Sequence, residues 1–258
     1  MGAAAASESA GRQTVPVLGA PIDAIDMPGA VARISRWAES HKSHYVCVCN
    51  AHSVVTASRD PSFAQVLQAA DLALPDGAPV AWLMRRQGMR GQTRVSGPDL
   101  MAEYCEHAAR CGQSIYLYGA TEATLASLHQ ALLSRWPTLR IAGAHSPPFR
   151  PTTEEEDAAD IERINASGAG TVWVSLGCPK QEVWMLAHRG RIHGVMIGVG
   201  AAFDFHAGTV ARAPAWMRAN GLEWLHRLAS EPRRLWRRYL VTNTLFIVGA
   251  AAQLLRRQ

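Results

Sequence analysis

The stretch Asp71-Leu72-Ala73-Leu74-Pro75-Asp76-Gly77 carries an apolar run that stops at Pro-Asp-Gly, the pattern of a strand that ends abruptly and delivers a carboxylate to the rim of a sheet. A carboxylate held there can act as a general base towards an attacking hydroxyl. Asp before Gly also serves turns and helix caps through local hydrogen bonds, so both roles stand open for Asp76 on this stretch alone. A second segment, Gly177-Cys178-Pro179-Lys180-Gln181-Glu182, places Pro at a helix start and Lys180 and Gln181 in its first turn. Gln181 can donate and accept hydrogen bonds to a base or a sugar, although Lys-Gln-Glu is equally ordinary solvent-facing chemistry at a helix start. In Arg94-Val95-Ser96-Gly97-Pro98-Asp99, the Arg94 guanidinium can hold a phosphate or a carboxylate, and Asp99 reads as a helix cap.

These segments need a scaffold that brings their ends together, and the hydrophobic pattern supplies it. Val15 to Ile25 reads as a first strand, and Asp26-Met27-Pro28 opens a helix to about Glu39 with Ala30, Val31, Ile34 and Trp37 at helical spacing. His44 to Cys49 is a continuous apolar strand ending at Asn50, and helices follow through Ala57 and from Asp60-Pro61 to Ala70. Further strands are expected at 71–74, 114–118, 140–143, 172–176 and 195–199, with helices at 122–136, 153–167 and 180–188. Near-continuously apolar strands alternating with helices predict an α/β fold, a mostly parallel Rossmann-like sheet with helices on both faces. Ligands of such sheets bind outside the carboxyl ends of the strands. That edge would gather Asn50-Ala51-His52, Pro75-Asp76-Gly77, Gly119-Ala120-Thr121, the 177–182 loop and Gly200-Ala201-Ala202-Phe203-Asp204. Glycines in these loops let backbone N–H groups approach an anion at a helix N-terminus, which suits a nucleotide diphosphate. Neither a P-loop nor a complete G-x-G-x-x-G is present; Gly198-Val199-Gly200 gives only the first half of the latter, and glycine there can serve close packing alone.

A length of 258 residues with 48% hydrophobic content supports a sizeable core and excludes disorder as the main state. The formal charge of +5 is concentrated late in the chain, where Arg212, Arg218, Arg227, Arg233, Arg234, Arg237 and Arg238 face only Glu223 and Glu231. The division expected is a flexible leader over 1–14, an α/β catalytic domain over 15–208 and an arginine-rich helical appendage over 209–258. Several arginines in one segment can clamp a diphosphate, meet a membrane, bind nucleic acid or form a solvated face; nucleic acid is disfavoured because no recognised binding motif accompanies the charge. The five cysteines show neither a C-x-x-C pair nor zinc spacing and read as reduced thiols. No run reaches the roughly 18–20 uninterrupted apolar residues of a spanning helix. The nearest, Leu240 to Leu255, lies between arginine clusters and suits a helix at a membrane surface or one packed on the body.

Taken in order, the motifs resemble the WecG/TagA/CpsF glycosyltransferases (glycosyltransferase family 26). The matching pieces are Cys49-Asn50-Ala51, Leu74-Pro75-Asp76-Gly77, Arg94 to Leu100, Tyr116 to Gly119, Leu176 to Glu182, Gly198 to Asp204, Ala207-Gly208, Arg212-Ala213-Pro214, Gly221 to Trp224 with Arg227, Glu231-Pro232 and Arg238-Tyr239. The resemblance implies an inverting transfer of a sugar from a UDP-sugar to a saccharide on a polyprenyl diphosphate, in the cytoplasm at the inner face of the bacterial membrane. It implies Asp76 as general base and Asn50 and Gln181 near the substrates; His52, Arg94, Gly119, Lys180, Gly200 and Asp204, in the loops described above, are the further candidate substrate contacts. Arg212, Arg227, Arg234 and Arg238 would hold the lipid diphosphate, with a homo-oligomer left open. No metal or other cofactor is expected, since the chain lacks the Asp-x-Asp pair by which many sugar-nucleotide enzymes hold a divalent ion.

Two positions depart from the family pattern: His52 stands where an acidic residue is common, and Val48 where a Thr is frequent. Chains with Asn-x-His resemble members of exopolysaccharide assembly, xanthan-like and acetan-like, whose second sugar is glucose in a β-linkage. An N-acetylmannosamine-type transferase of the same family, a nucleotide-dependent oxidoreductase and a basic nucleic-acid-binding protein are the competing expectations.

Overall fold

The computed structural model describes residues 12–256, with the side chain of Arg234 outside the description. Residues 1–11 of the expected leader also lie outside it.

The first strand expectation is corrected. Thr14–Val17 (β1) and Ala20–Asp23 (β2) form an antiparallel hairpin of their own, apart from the main sheet. The chain reverses at Leu18 and Gly19, both at positive φ (51° and 90°), the left-handed geometry that a two-residue hairpin turn requires. Met27–Ser40 (α1) follows, capped by the Asp26 carboxylate, which accepts from the Gly29 N–H at 2.9 Å.

The main sheet has six parallel strands: His44–Cys49 (β3), Leu72–Pro75 (β4), Ser114–Gly119 (β5), Arg140–His145 (β6), Thr171–Ser175 (β7) and Val195–Gly198 (β8), in the spatial order β4-β3-β8-β7-β5-β6. Between them run Ala51–Arg59 (α2), Pro61–Ala69 (α3), Ala78–Arg86 (α4), Gly97–Cys111 (α5), Glu122–Arg135 (α6), Glu154–Ala166 (α7) and Lys180–His188 (α8). Side chains alternate across the sheet and so build two cores. Tyr45, Cys47, Ala73, Val172, Val174 and Met196 pack on one face; Val46, Leu72, Leu74, Leu117, Trp173 and Ile197 pack on the other. This double burial is why the strands read as unbroken apolar runs. The fold is therefore the expected α/β arrangement, and all five cysteines are free.

After β8 the chain is helical: Ala202–Ala207 (α9), Ala215–Ala219 (α10), Glu223–Ser230 (α11) and Pro232–Leu255 (α12). Along α12, Leu235, Thr242, Phe246 and Ala250 are buried, and the helix packs against α2. Its other flank leaves Leu240, Val241, Val248 and Leu255 each more than half exposed, as is Ile247 nearer the α2 side. Residues Leu235–Leu255 form a helix long and apolar enough to span a bilayer by length and composition, with a mean hydropathy of 1.2. The expectation from uninterrupted runs missed this because Thr242, Asn243, Thr244 and Gln253 interrupt the apolar stretch without ending the helix.

Candidate active site

A cavity of about 870 Å3 lies outside the carboxyl ends of β4, β3, β8 and β7, roofed by α11 and α12. Asp76 lines it. The residue sits one step past β4, its N–H donating to the Cys49 carbonyl at 3.0 Å, while the Val95 N–H donates to the Pro75 carbonyl at 2.8 Å. Gly77 (φ +81°) then turns the chain into α4. Burial pushes the Asp76 carboxyl up to about 7, with the Glu223 carboxylate adding to the rise and Arg94 opposing it. A carboxyl poised near neutrality, partly desolvated and facing a cavity, has the properties of a general base rather than of a simple turn residue.

Asn50 closes β3 and caps α2: its Oδ1 accepts from the N–H groups of His52 (2.9 Å) and Ser53 (3.2 Å). Asn50 and His52 both line the cavity. Burial, with Arg238 nearby, lowers the His52 pKa and favours the neutral ring, whose Nδ1 lies 3.5 Å from the Thr242 hydroxyl on α12. Gln181 is buried and tied within the protein, its amide donating to Glu182 at 2.9 Å and its Oε1 accepting from the Gly200 N–H at 3.1 Å. It thereby fixes the Gly200 turn (φ +51°), and both residues border the cavity. A Cβ at Gly198 would meet Gln181 and Met185, so close packing accounts for the first glycine of Gly198-Val199-Gly200.

Four expected substrate contacts are not brought to the cavity. Gly119 ends β5, beyond the strands that border the site; at φ +110° it leaves no room for a Cβ against the Ser175 carbonyl, and it serves strand packing. Lys180, at the start of α8, is exposed and turned to solvent, while Gln181 and Glu182 beside it face inward. Asp204 lies in α9 with its carbonyl accepting from Thr209 (3.1 Å) and Val210 (3.2 Å), closing that short helix. Arg212 is held between Asp99 (2.7 Å) and Glu223 (3.2 Å), so two carboxylates already occupy the guanidinium assigned to a lipid diphosphate. Asp99 is correspondingly no cap: Ser96 holds the N-cap position, and Asp99 accepts from Arg212.

Of the remaining arginines, Arg94, Arg227 and Arg238 line the cavity, Arg94 while paired with Glu223 (3.3 Å) and Asp99 (3.7 Å), and Arg234 cannot be placed because its side chain is outside the description. Arg227 has its Nε buried without a hydrogen-bond partner among the described residues and its guanidinium 5.5 Å from the Phe205 ring centre. Sequence reasoning missed Glu223, which accepts from Arg94 (3.3 Å) and Arg212 (3.2 Å) and itself lines the cavity. It also missed Glu182, whose pKa burial raises, and the aromatic lining of Trp82, Trp224 and Tyr239. The tryptophans interleaved with arginines were the available signal for Trp224. Among the described residues, no group of three or more His, Cys, Asp or Glu side chains is arranged to hold a metal ion.

A family model described as the glycosyl transferase WecG/TagA/CpsF family matches residues 15–258, nearly the whole chain. The chain belongs to this family. It is thus a glycosyltransferase, and the matched span includes the arginine-bearing helices that roof the cavity as well as the sheet that carries Asp76. A sugar transfer with inversion would ask for a base beside the acceptor hydroxyl and positive charge beside the leaving group. Asp76 and the Arg94, Arg227 and Arg238 side chains border one space.

Proposed function

We propose that this glycosyltransferase moves a sugar, best read as glucose, from a UDP-sugar to a saccharide carried on a polyprenyl diphosphate, forming a β-linkage in bacterial exopolysaccharide assembly. The Asp76 carboxylate takes the proton of an acceptor hydroxyl as that oxygen bonds to the anomeric carbon. The bond from this carbon to the UDP oxygen breaks on the opposite face, and UDP leaves with the electron pair. Arginine charge and the N–H groups of the Gly-rich turns balance the diphosphates, without a resident metal.

The observation that carries the reading is a carboxyl held near neutrality in the same cavity as Arg94, Arg227 and Arg238. The volume of about 870 Å3 lies in the range of substrate sites, roughly 300–1,000 Å3. We place the enzyme at the inner face of the cytoplasmic membrane, where the exposed apolar flank of α12 and the basic residues about its ends meet anionic lipid. The glucose assignment rests on His52 in the Asn-x-His pattern.

The test is incubation of the protein with a panel of UDP-sugars and a synthetic prenyl-diphosphate glucose, with the product identified by mass. A gain of one hexose with UDP-glucose supports the full reading. Transfer from UDP-N-acetylmannosamine alone overturns the glucose assignment, and no UDP-induced thermal stabilisation overturns the donor class.

A further inference from the structure

The cavity changes chemistry along the axis of one helix. Arg238 and Tyr239, then Thr242 and Asn243, then Phe246 and Ile247, then Ala250 and Ala251, and finally Leu254 all line it from α12. These positions recur every three to four residues and so form one continuous stripe. The stripe is cationic and polar at its start and wholly apolar from Phe246 onward. The boundary falls at Thr242, whose hydroxyl stands 3.5 Å from His52.

The body also contributes apolar side chains to the cavity lining, among them Ala78 and Trp82, one turn apart on α4. A site for a nucleotide sugar and a polar saccharide needs no such extension. The apolar part spans about 12 Å along α12, from Phe246 to Leu254 at about 1.5 Å per residue. At its far end lies Leu255, exposed on the outer flank of the helix beside which a membrane would sit.

We propose that this apolar half is a slot for the first isoprene units of the acceptor lipid, with the diphosphate at Arg227 and Arg238 and the chain running along Phe246, Ile247, Ala251 and Leu254 towards the bilayer. The inference rests on the lipid-linked acceptor of the preceding section. The occupant is assigned from continuity with the cationic end of the same cavity: a molecule that is dianionic at one end and apolar over the next 12 Å or so matches this order, given the helical rise of about 1.5 Å per residue. The slot would select prenyl-linked acceptors over free sugar diphosphates and hold the lipid so that its head group reaches Asp76.

The full-length chain, without detergent, is titrated calorimetrically with inorganic diphosphate and with dimethylallyl, geranyl, farnesyl and geranylgeranyl diphosphates, each below its aggregation concentration. UDP is titrated separately. Kd is expected to fall by about tenfold per added isoprene unit and to level off after about three units, when the slot is full. Ala251 and Ile247 are exposed within the lining, so Ala251→Trp and Ile247→Asn leave the buried core untouched. Both should flatten the chain-length dependence with Tm and UDP affinity kept as folding controls.

If prenyl diphosphates bind no better than inorganic diphosphate while UDP binds, the slot is overturned and the transferase reading stands. A chain-length dependence without UDP binding keeps the slot and overturns the donor. If both variants keep the wild-type dependence, the apolar gain arises on the outer flank of α12 and the slot is wrong. A dimer that Ala251→Trp dissociates, in a protein with no chain-length dependence, assigns the surface to a second copy and also overturns the proposal.

Discussion

Replacing Asp76 with Asn should sharply lower turnover and, on the alkaline side only, stabilise the protein. Moving the carboxyl from its usual 3.8 to about 7 means that holding it ionised costs about 4 kcal/mol at about 1.4 kcal/mol per tenfold change, an upper bound because the cavity admits water. The sign follows from the raised value: the stabilising contribution of the protonated group is complete below pH 3.8 and is lost as pH rises through about 7. Asn keeps the shape and carries no charge, so Asp76→Asn escapes that loss. At pH 8 its Tm should exceed the wild-type value by about 5–10 °C, and at pH 4 the two should agree to about 2 °C, for a chain of this size. Scanning calorimetry across that pH range measures the difference. The same carboxyl must be ionised to act as a base, so wild-type kcat/KM should rise with pH to a plateau above about 7. Loss of the base should lower kcat by about 10²–10⁴-fold. A pH-independent Tm difference, or Asp76→Asn turnover close to wild type, would refute the assignment of this carboxyl as a desolvated base.

Glu223→Gln removes a negative charge that helps raise the Asp76 value, so the acid limb of kcat/KM should move to lower pH; an unmoved limb means burial alone sets it. Gly119→Ala puts a Cβ against the Ser175 carbonyl at φ +110°, and thermal melts should show a loss of about 2–4 kcal/mol although the position does not border the cavity. Lys180→Ala, at an exposed position outside the cavity, should leave stability within about 0.5 kcal/mol and steady-state kinetics close to wild type. A large rise in KM for the nucleotide sugar would return Lys180 to the site.

Five of the parallel strands were legible because they are largely buried and so apolar, and the loops at their carboxyl ends carry Gly, Asn or Asp for the turn; β6, at the sheet edge, is only partly buried. Strand order was not legible. Apolar runs carry no label for their neighbours, so that β8 lies beside β3 while β5 lies two strands further out cannot be read from spacing. This is why Asp76, Asn50 and Gly200 were placed together correctly and Gly119 was not. The β1–β2 hairpin escaped notice because Leu18, rather than Asn or Asp, takes the first left-handed turn position. Asp99 was assigned as a cap from local context, and Arg212 as a phosphate ligand from the family resemblance. In the fold they find each other 113 positions apart. Glu223 likewise meets Arg94 across 129 positions. Pairings at that separation have no local signature.

Gln253, near the end of α12, accepts a hydrogen bond from the Leu18 N–H at 2.8 Å and donates to the Pro16 carbonyl at 2.6 Å, and Gly249 lies directly against the Leu18 side chain. The first hairpin is therefore anchored to the last turns of α12. Closing a loop of 235 residues is slow and cannot begin before residue 253 has been made. A growing chain that has not yet made α12 can assemble the sheet and present its carboxylate, yet it lacks one wall of the chamber. Such a chain would be folded in its body and silent.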